Sequence, residues 1–169
     1  MISNIPKTEY YTDLDDTLSE NSCLFYSKIK LLSQKTKNEK AIYDLIIKDF
    51  KINKRFLELA KKLQINEVFI LSRNRQSFID YFIEHTKDIF KKYNITIIGG
   101  LGNITTENKI ENIPKSSFLI SDMFEYKKLK KYANFISIDK YSFSKHILTF
   151  CKKLLRFLFF TISLQWKKF

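Results

Sequence analysis

Two uninterrupted apolar runs, "VFIL" at residues 68–71 and "FLIS" at residues 118–121, most constrain how this chain can fold. A strand with one face in water alternates apolar and polar residues, so a run without alternation belongs to a strand covered on both faces, as in the middle of a parallel sheet under helices. Parallel neighbours need long crossover connections, and the segments between the short runs carry helical periodicity. Strands are predicted at residues 9–13, 67–72, 95–99, 117–122 and 135–139. Helices are predicted at about 21–33, 39–50, 53–62, 76–93, 106–112 and 124–132. The fifth helix ends because Pro114 biases Ile113 away from the helical region. The expected class is α/β, with a five-stranded parallel sheet. Its first strand, "TEYYT", is aromatic and polar where Val and Ile are usual, which predicts a slightly exposed or weakly specified strand.

A chain of 169 residues can bury one substantial core, whereas two domains would each be small. Residues 1–141 are therefore expected to form one domain and residues 142–169 a terminal helix. The formal charge is +12, but only four of the 30 basic residues are arginines: Arg55, Arg73, Arg75 and Arg156. Scattered lysines without a basic-aromatic motif describe a solvated surface rather than a nucleic-acid reader, which leans on the planar arginine fork. Cys23 and Cys151 have no paired spacing, and the polar start "MISNIPKTEY" has no apolar signal region. Both point to small core thiols in a reducing, cytoplasmic setting.

Against this basic background, "YYTDLDDTL" at residues 10–18 packs three carboxylates into four positions. A strand end can hold two ionised carboxylates together beside a divalent cation, or if one is protonated. At the end of a strand the chain can bend to bring Asp13 and Asp15 around one site. Such a pair suits phosphoryl transfer, with one carboxylate attacking phosphorus and the other handling the leaving-group proton. A magnesium ion would screen the repulsion between an anionic nucleophile and an anionic phosphate. "DLDD", Ser72 and Asp122 all fall at the carboxyl ends of predicted strands, where an open α/β sheet binds its ligand.

Asp13-Leu14-Asp15-Asp16-Thr17-Leu18 resembles the first motif of the haloacid dehalogenase-like superfamily of aspartate-nucleophile phosphatases at every position. Further motifs of that family have counterparts in order. "VFILSR" supplies Ser72, whose hydroxyl would bind a phosphoryl oxygen; Lys109, with Lys115 as the alternate, would hold nucleophile and phosphate together; and "FLISDMFEY" supplies Asp122. Glu125, three residues after Asp122, departs from the family by one position. The resemblance covers about residues 9–139 and implies a Rossmann-like parallel five-stranded sheet with helices on both faces and a minimal helical cap at about 19–64. It also implies that Asp13 is the nucleophile, and that Asp15 protonates the leaving oxygen and then activates water. Mg2+ would be held by Asp13, the main-chain carbonyl of Asp15, and Asp122. Leu14, through its backbone amide, Thr17, chiefly by holding the turn, and Arg73 complete the expected substrate-binding set. Asp16 is expected to be a turn or capping residue.

The stretch 19–32 is the expected lid, and its small size predicts an open site that accepts a small phosphorylated metabolite or a lipid-linked phosphate. Projected as a helix, residues 142–167 place Lys145, Lys152, Lys153 and Arg156 opposite Ile147, Phe150, Leu154, Phe157 and Ile162. The run "FLFFTISLQW" is about half of what a bilayer crossing needs, so it does not span. It describes a helix packed on the domain, or one that brings residues 150–169 to a protein partner or the inner face of the membrane. The expected function is a magnesium-dependent phosphomonoester hydrolase. The alternative is a non-catalytic module of the same fold acting as a binding or membrane-associated interaction protein.

Overall fold

The computed structural model describes residues 9–20, 37–111, 113–114, 116–122 and 135–138. Their elements run β1 (Tyr10–Thr12), α1 (Glu39–Lys48), α2 (Lys54–Leu63), β2 (Glu67–Leu71), α3 (Gln76–Lys91), β3 (Thr96–Leu101), α4 (Thr106–Glu111), β4 (Phe118–Ser121) and β5 (Phe135–Ser137). The strands form one sheet in the order β3-β2-β1-β4-β5, and every adjacent pair is parallel. All five expected strands are present, each within two residues of its predicted ends. The predicted helices at 21–33 and 124–132, the terminal helix at 142–169, Cys23 and Cys151 lie outside the described residues. No helix among the described residues is long and apolar enough to cross a membrane.

The period-two alternation of the strands divides the core into two faces. Val68, Ile70 and Ile120 join Ile42, Ile46, Phe56, Ile79 and Phe82 in one cluster, while Tyr11, Phe69, Leu71 and Leu119 form the other. The expectation for β1 is overturned here. Far from being exposed, β1 is the middle strand, and Tyr11 and Thr12 have no accessible surface. Aromatics suit that position because they meet aromatics on both neighbours: Tyr11 lies 5.6 Å from Phe69 across β2, and Tyr10 stacks at 5.8 Å on Phe118 of β4.

Asn38 caps α1 through Ala41 N at 3.3 Å, and Asn53 caps α2 through Arg55 N at 3.0 Å. Helices of ten residues are marginal alone, so their stability comes from the face they bury. Ile42, Ile46, Phe56 and Ala60 belong to the same cluster as β2 and α3, and each large apolar side chain buried there contributes about 1.5–3 kcal/mol. Tyr43 packs edge-on to Phe78 at 5.1 Å, and Phe50 meets Phe82 at 4.9 Å. The region expected as a cap therefore supplies, in α1 and α2, a layer of the main core. Ser19 and Ile52 form an antiparallel bridge, and Glu20 N donates to Lys51 O at 2.9 Å, which ties the turn after β1 to the segment between α1 and α2. Most of the expected lid, beyond Glu20, lies outside the described residues.

Polar contacts reinforce the pairing of α1 with α3: Arg75 with Glu39 at 2.5 Å, Tyr43 Oη with Ser77 Oγ at 3.1 Å, and the Tyr81 hydroxyl donating to Asp44. The hydrogen bond to Asp44 pushes the Tyr81 phenol from 10.0 up to about 12, helped by desolvation and by the negative charges of Asp44 and Glu84. A raised folded-state value means this contact stabilises fully below pH 10 and is lost as pH rises through about 12. Ultraviolet titration of the folded protein against Tyr81→Phe is expected to show one tyrosine ionising near pH 12 that the variant lacks. A full tyrosine complement ionising near 10 would contradict it.

Candidate active site

Because every strand is parallel, the residues that follow β1, β2 and β4 share one edge of the sheet. These are Asp13, Ser72 and Asp122. Thr12 is in register with Ile70 and Ile120, and Asp13 N extends the ladder by donating to Ile120 O at 3.0 Å. Asp13 thus stands between the ends of its two neighbours, at the strand where the connections change direction, with β2 and β3 on one side and β4 and β5 on the other. Open α/β sheets place their ligands at this position.

After Asp13 the chain makes one tight turn, in which Leu18 N donates to Leu14 O at 3.1 Å and Ser19 N to the same oxygen at 2.9 Å. Asp16 takes a left-handed conformation with φ of 58°, which Asp tolerates better than most residues. Its carbonyl accepts from Asn53 Nδ2 at 3.0 Å, tying the turn to the start of α2. This closure brings Asp15 back towards β2, where its Oδ2 accepts from Asn74 Nδ2 at 3.0 Å.

Lys109 is the strongest feature. It is fully buried, and its Nζ lies 2.7 Å from Asp13 Oδ1, itself on a residue only 6% exposed. A lysine is almost never fully buried unless paired, because an isolated ammonium loses its hydration without compensation. Of the two lysines expected to serve the third motif, Lys109 is the one at Asp13; Lys115 lies outside the described residues, as does Glu125. Ser72 is also fully buried, and its Oγ accepts from Asn74 N at 3.1 Å and Asn74 Nδ2 at 3.0 Å.

The remaining expected residues divide. The Leu14 side chain belongs to the core, so its contribution to a ligand would come from the backbone. Arg73 is exposed beside Ser72, whereas Arg75 is engaged by Glu39. Thr17 differs from expectation: it has no accessible surface, and its hydroxyl makes no hydrogen bond. The turn is closed by backbone groups instead. A buried hydroxyl without a partner costs about 1–3 kcal/mol, so Thr17→Val is expected to leave thermal stability unchanged or raise it by up to about 2 kcal/mol. A loss above about 1 kcal/mol would show that the hydroxyl has a partner.

Among the described residues no three His, Cys, Asp or Glu side chains gather as a metal cluster. The ligand set implied for magnesium asks for less, namely the carboxylates of Asp13 and Asp122 and the main-chain carbonyl of Asp15. These are all hard oxygen donors, and they follow adjacent strands, so the donor chemistry fits Mg2+. Asn74, which joins Asp15 to Ser72, was not marked by any sequence signal; an asparagine after a strand reads first as turn chemistry.

Compared with protein-family models, with curated proteins and with solved structures, the chain matches none.

Proposed function

We propose that this protein is a magnesium-dependent phosphomonoester hydrolase of the haloacid dehalogenase-like type, acting on a small phosphorylated metabolite or a lipid-linked phosphate. The observation that carries this reading is the buried Lys109–Asp13 pair at 2.7 Å, at the carboxyl end of the central strand. A buried cation against one carboxylate of a crowded group is costly as scaffolding, and replacing such a pair by apolar residues is often neutral or stabilising. It is useful where a carboxylate must attack an anionic phosphate, because the ammonium offsets charge on both.

In the first half-reaction a carboxylate oxygen of Asp13 attacks phosphorus. The bond from phosphorus to the leaving oxygen breaks, and Asp15 gives that oxygen its proton. In the second half-reaction Asp15 takes a proton from water, and the resulting hydroxide attacks phosphorus. The bond to Asp13 breaks and inorganic phosphate leaves. Ser72 donates its hydroxyl to a phosphoryl oxygen and Lys109 holds Asp13 and the phosphoryl group together. Asp13, the Asp15 carbonyl and Asp122 would hold magnesium, which supplies charge neutralisation to the phosphoryl group. On the same reading the enzyme is cytoplasmic, and residues 150–169 could bring it to the inner face of the membrane.

Purified protein is expected to release phosphate from 4-nitrophenyl phosphate with magnesium, to stop on addition of EDTA, and to bind beryllofluoride as a mimic of phosphorylated Asp13. Absence of both turnover and beryllofluoride binding would favour a non-catalytic module.

A further inference from the structure

We infer that Asn74 is a positioning residue that couples Ser72 to Asp15, so that the group binding the phosphoryl oxygen and the group moving the leaving-group proton are held in one geometry. This rests on the phosphatase reading above. Asn74 Nδ2 donates to Asp15 Oδ2 at 3.0 Å, and that oxygen can accept whether or not the other oxygen of the carboxyl carries a proton. That nitrogen carries two hydrogens. One is taken by Asp15, and the other serves Ser72 Oγ at 3.0 Å. The Asn74 backbone N–H reaches the same Oγ at 3.1 Å. With both of its lone pairs engaged, the Ser72 hydroxyl is left with its own proton to donate, which is the polarity a phosphoryl oxygen requires.

Asn74 is itself held by a clamp between the loops that follow β2 and β3. Its carbonyl accepts from Asn103 N at 2.7 Å, while Ser72 N donates to Leu101 O at 2.9 Å and Ser72 O accepts from Ile104 N at 2.9 Å. Gly102 lies so close that a Cβ there would fall 2.6 Å from Asn74 O and 2.5 Å from Gln76 N. The side chain of Gln76 closes the clamp, accepting from Gly102 N at 2.7 Å and donating to Gly100 O at 3.1 Å. The backbone of Asn74 is therefore fixed on both sides, and the direction of its amide follows.

The test is the dependence on leaving group. An alkoxide needs the proton of Asp15, whereas 4-nitrophenolate leaves without one. Asn74→Ala is expected to lower kcat/KM for an alkyl phosphate such as glycerol phosphate by about 100-fold, and for 4-nitrophenyl phosphate by less than about 10-fold. Asn74→Asp keeps the turn-forming character but turns a donor into an acceptor facing Asp15, and it is expected to fall at least as far on the alkyl substrate. Both variants are expected to retain the thermal midpoint of the parent within a few degrees. Equal losses on the two substrates, wild-type rates in Asn74→Asp, or failure of both variants to fold would overturn the inference and leave Asn74 as a turn residue. Inactivity of the unmodified protein on both substrates would instead overturn the phosphatase reading itself.

Discussion

Asp13→Asn is expected to lower turnover of 4-nitrophenyl phosphate by on the order of 10^4-fold or more, because the reaction would lose the atom that attacks phosphorus. The substitution keeps the shape of the side chain but also leaves Lys109 fully buried beside a neutral amide. Removing one partner of a buried ion pair is strongly destabilising, by about 3–5 kcal/mol. Activity must therefore be read against the folded fraction, taken from thermal unfolding of the same sample. Beryllofluoride binding gives a second readout, since the mimic requires the Asp13 carboxylate and is expected to vanish in the variant. A folded Asp13→Asn protein that still turns over near the parent rate would end the proposal that Asp13 is the nucleophile.

Lys109→Met is expected to destabilise the protein about as strongly as Asp13→Asn. It takes from the Asp13 carboxylate, 8% exposed at its side chain, the ammonium that lies 2.7 Å away. A penalty of about 3–5 kcal/mol corresponds to a fall of roughly 6–20 °C in Tm for a domain of this size. The double variant Asp13→Asn/Lys109→Met removes both charges and is expected to recover most of that loss, since two neutral partners leave no buried charge unpaired. It is expected to remain inactive. Recovery of stability without activity would separate the two contributions of the pair, its cost to folding and its use in chemistry. If the single and double variants unfold at the same temperature, the coupling across the pair is absent and the energetic account of Lys109 fails.

Much of the scaffold was legible from local pattern. The uninterrupted runs at residues 68–71 and 118–121 required strands covered on both faces, and β2 and β4 flank the central strand. The capping asparagines Asn38 and Asn53 lie where the helix starts were expected, because a cap satisfies backbone donors within three residues of itself. "TEYYT" misled because β propensity is largely a record of neighbours, and its neighbours Phe69 and Phe118 lie far along the chain. The helices read as a cap misled for a related reason. Amphipathic periodicity reports that Ile42 and Ile46 are buried but is silent on what buries them, which is the α3 and sheet layer.

Within the candidate site the same division holds. By itself the sequence determined that Asp13, Ser72 and Asp122 stand at the ends of parallel strands, because strand ends and their turns are local properties of the chain. Only the tertiary structure decided which of many lysines is buried at Asp13, since Lys109 lies 96 residues away and its approach depends on how the chain crosses from β3 at the sheet edge back to β4. It decided the partner of Asp15 as well, through a turn after β1 and a loop after β2 that meet 59 residues apart. Periodicity encodes how deeply a residue is buried, whereas the identity of its partner is set by sheet order and crossover geometry, which no local pattern carries.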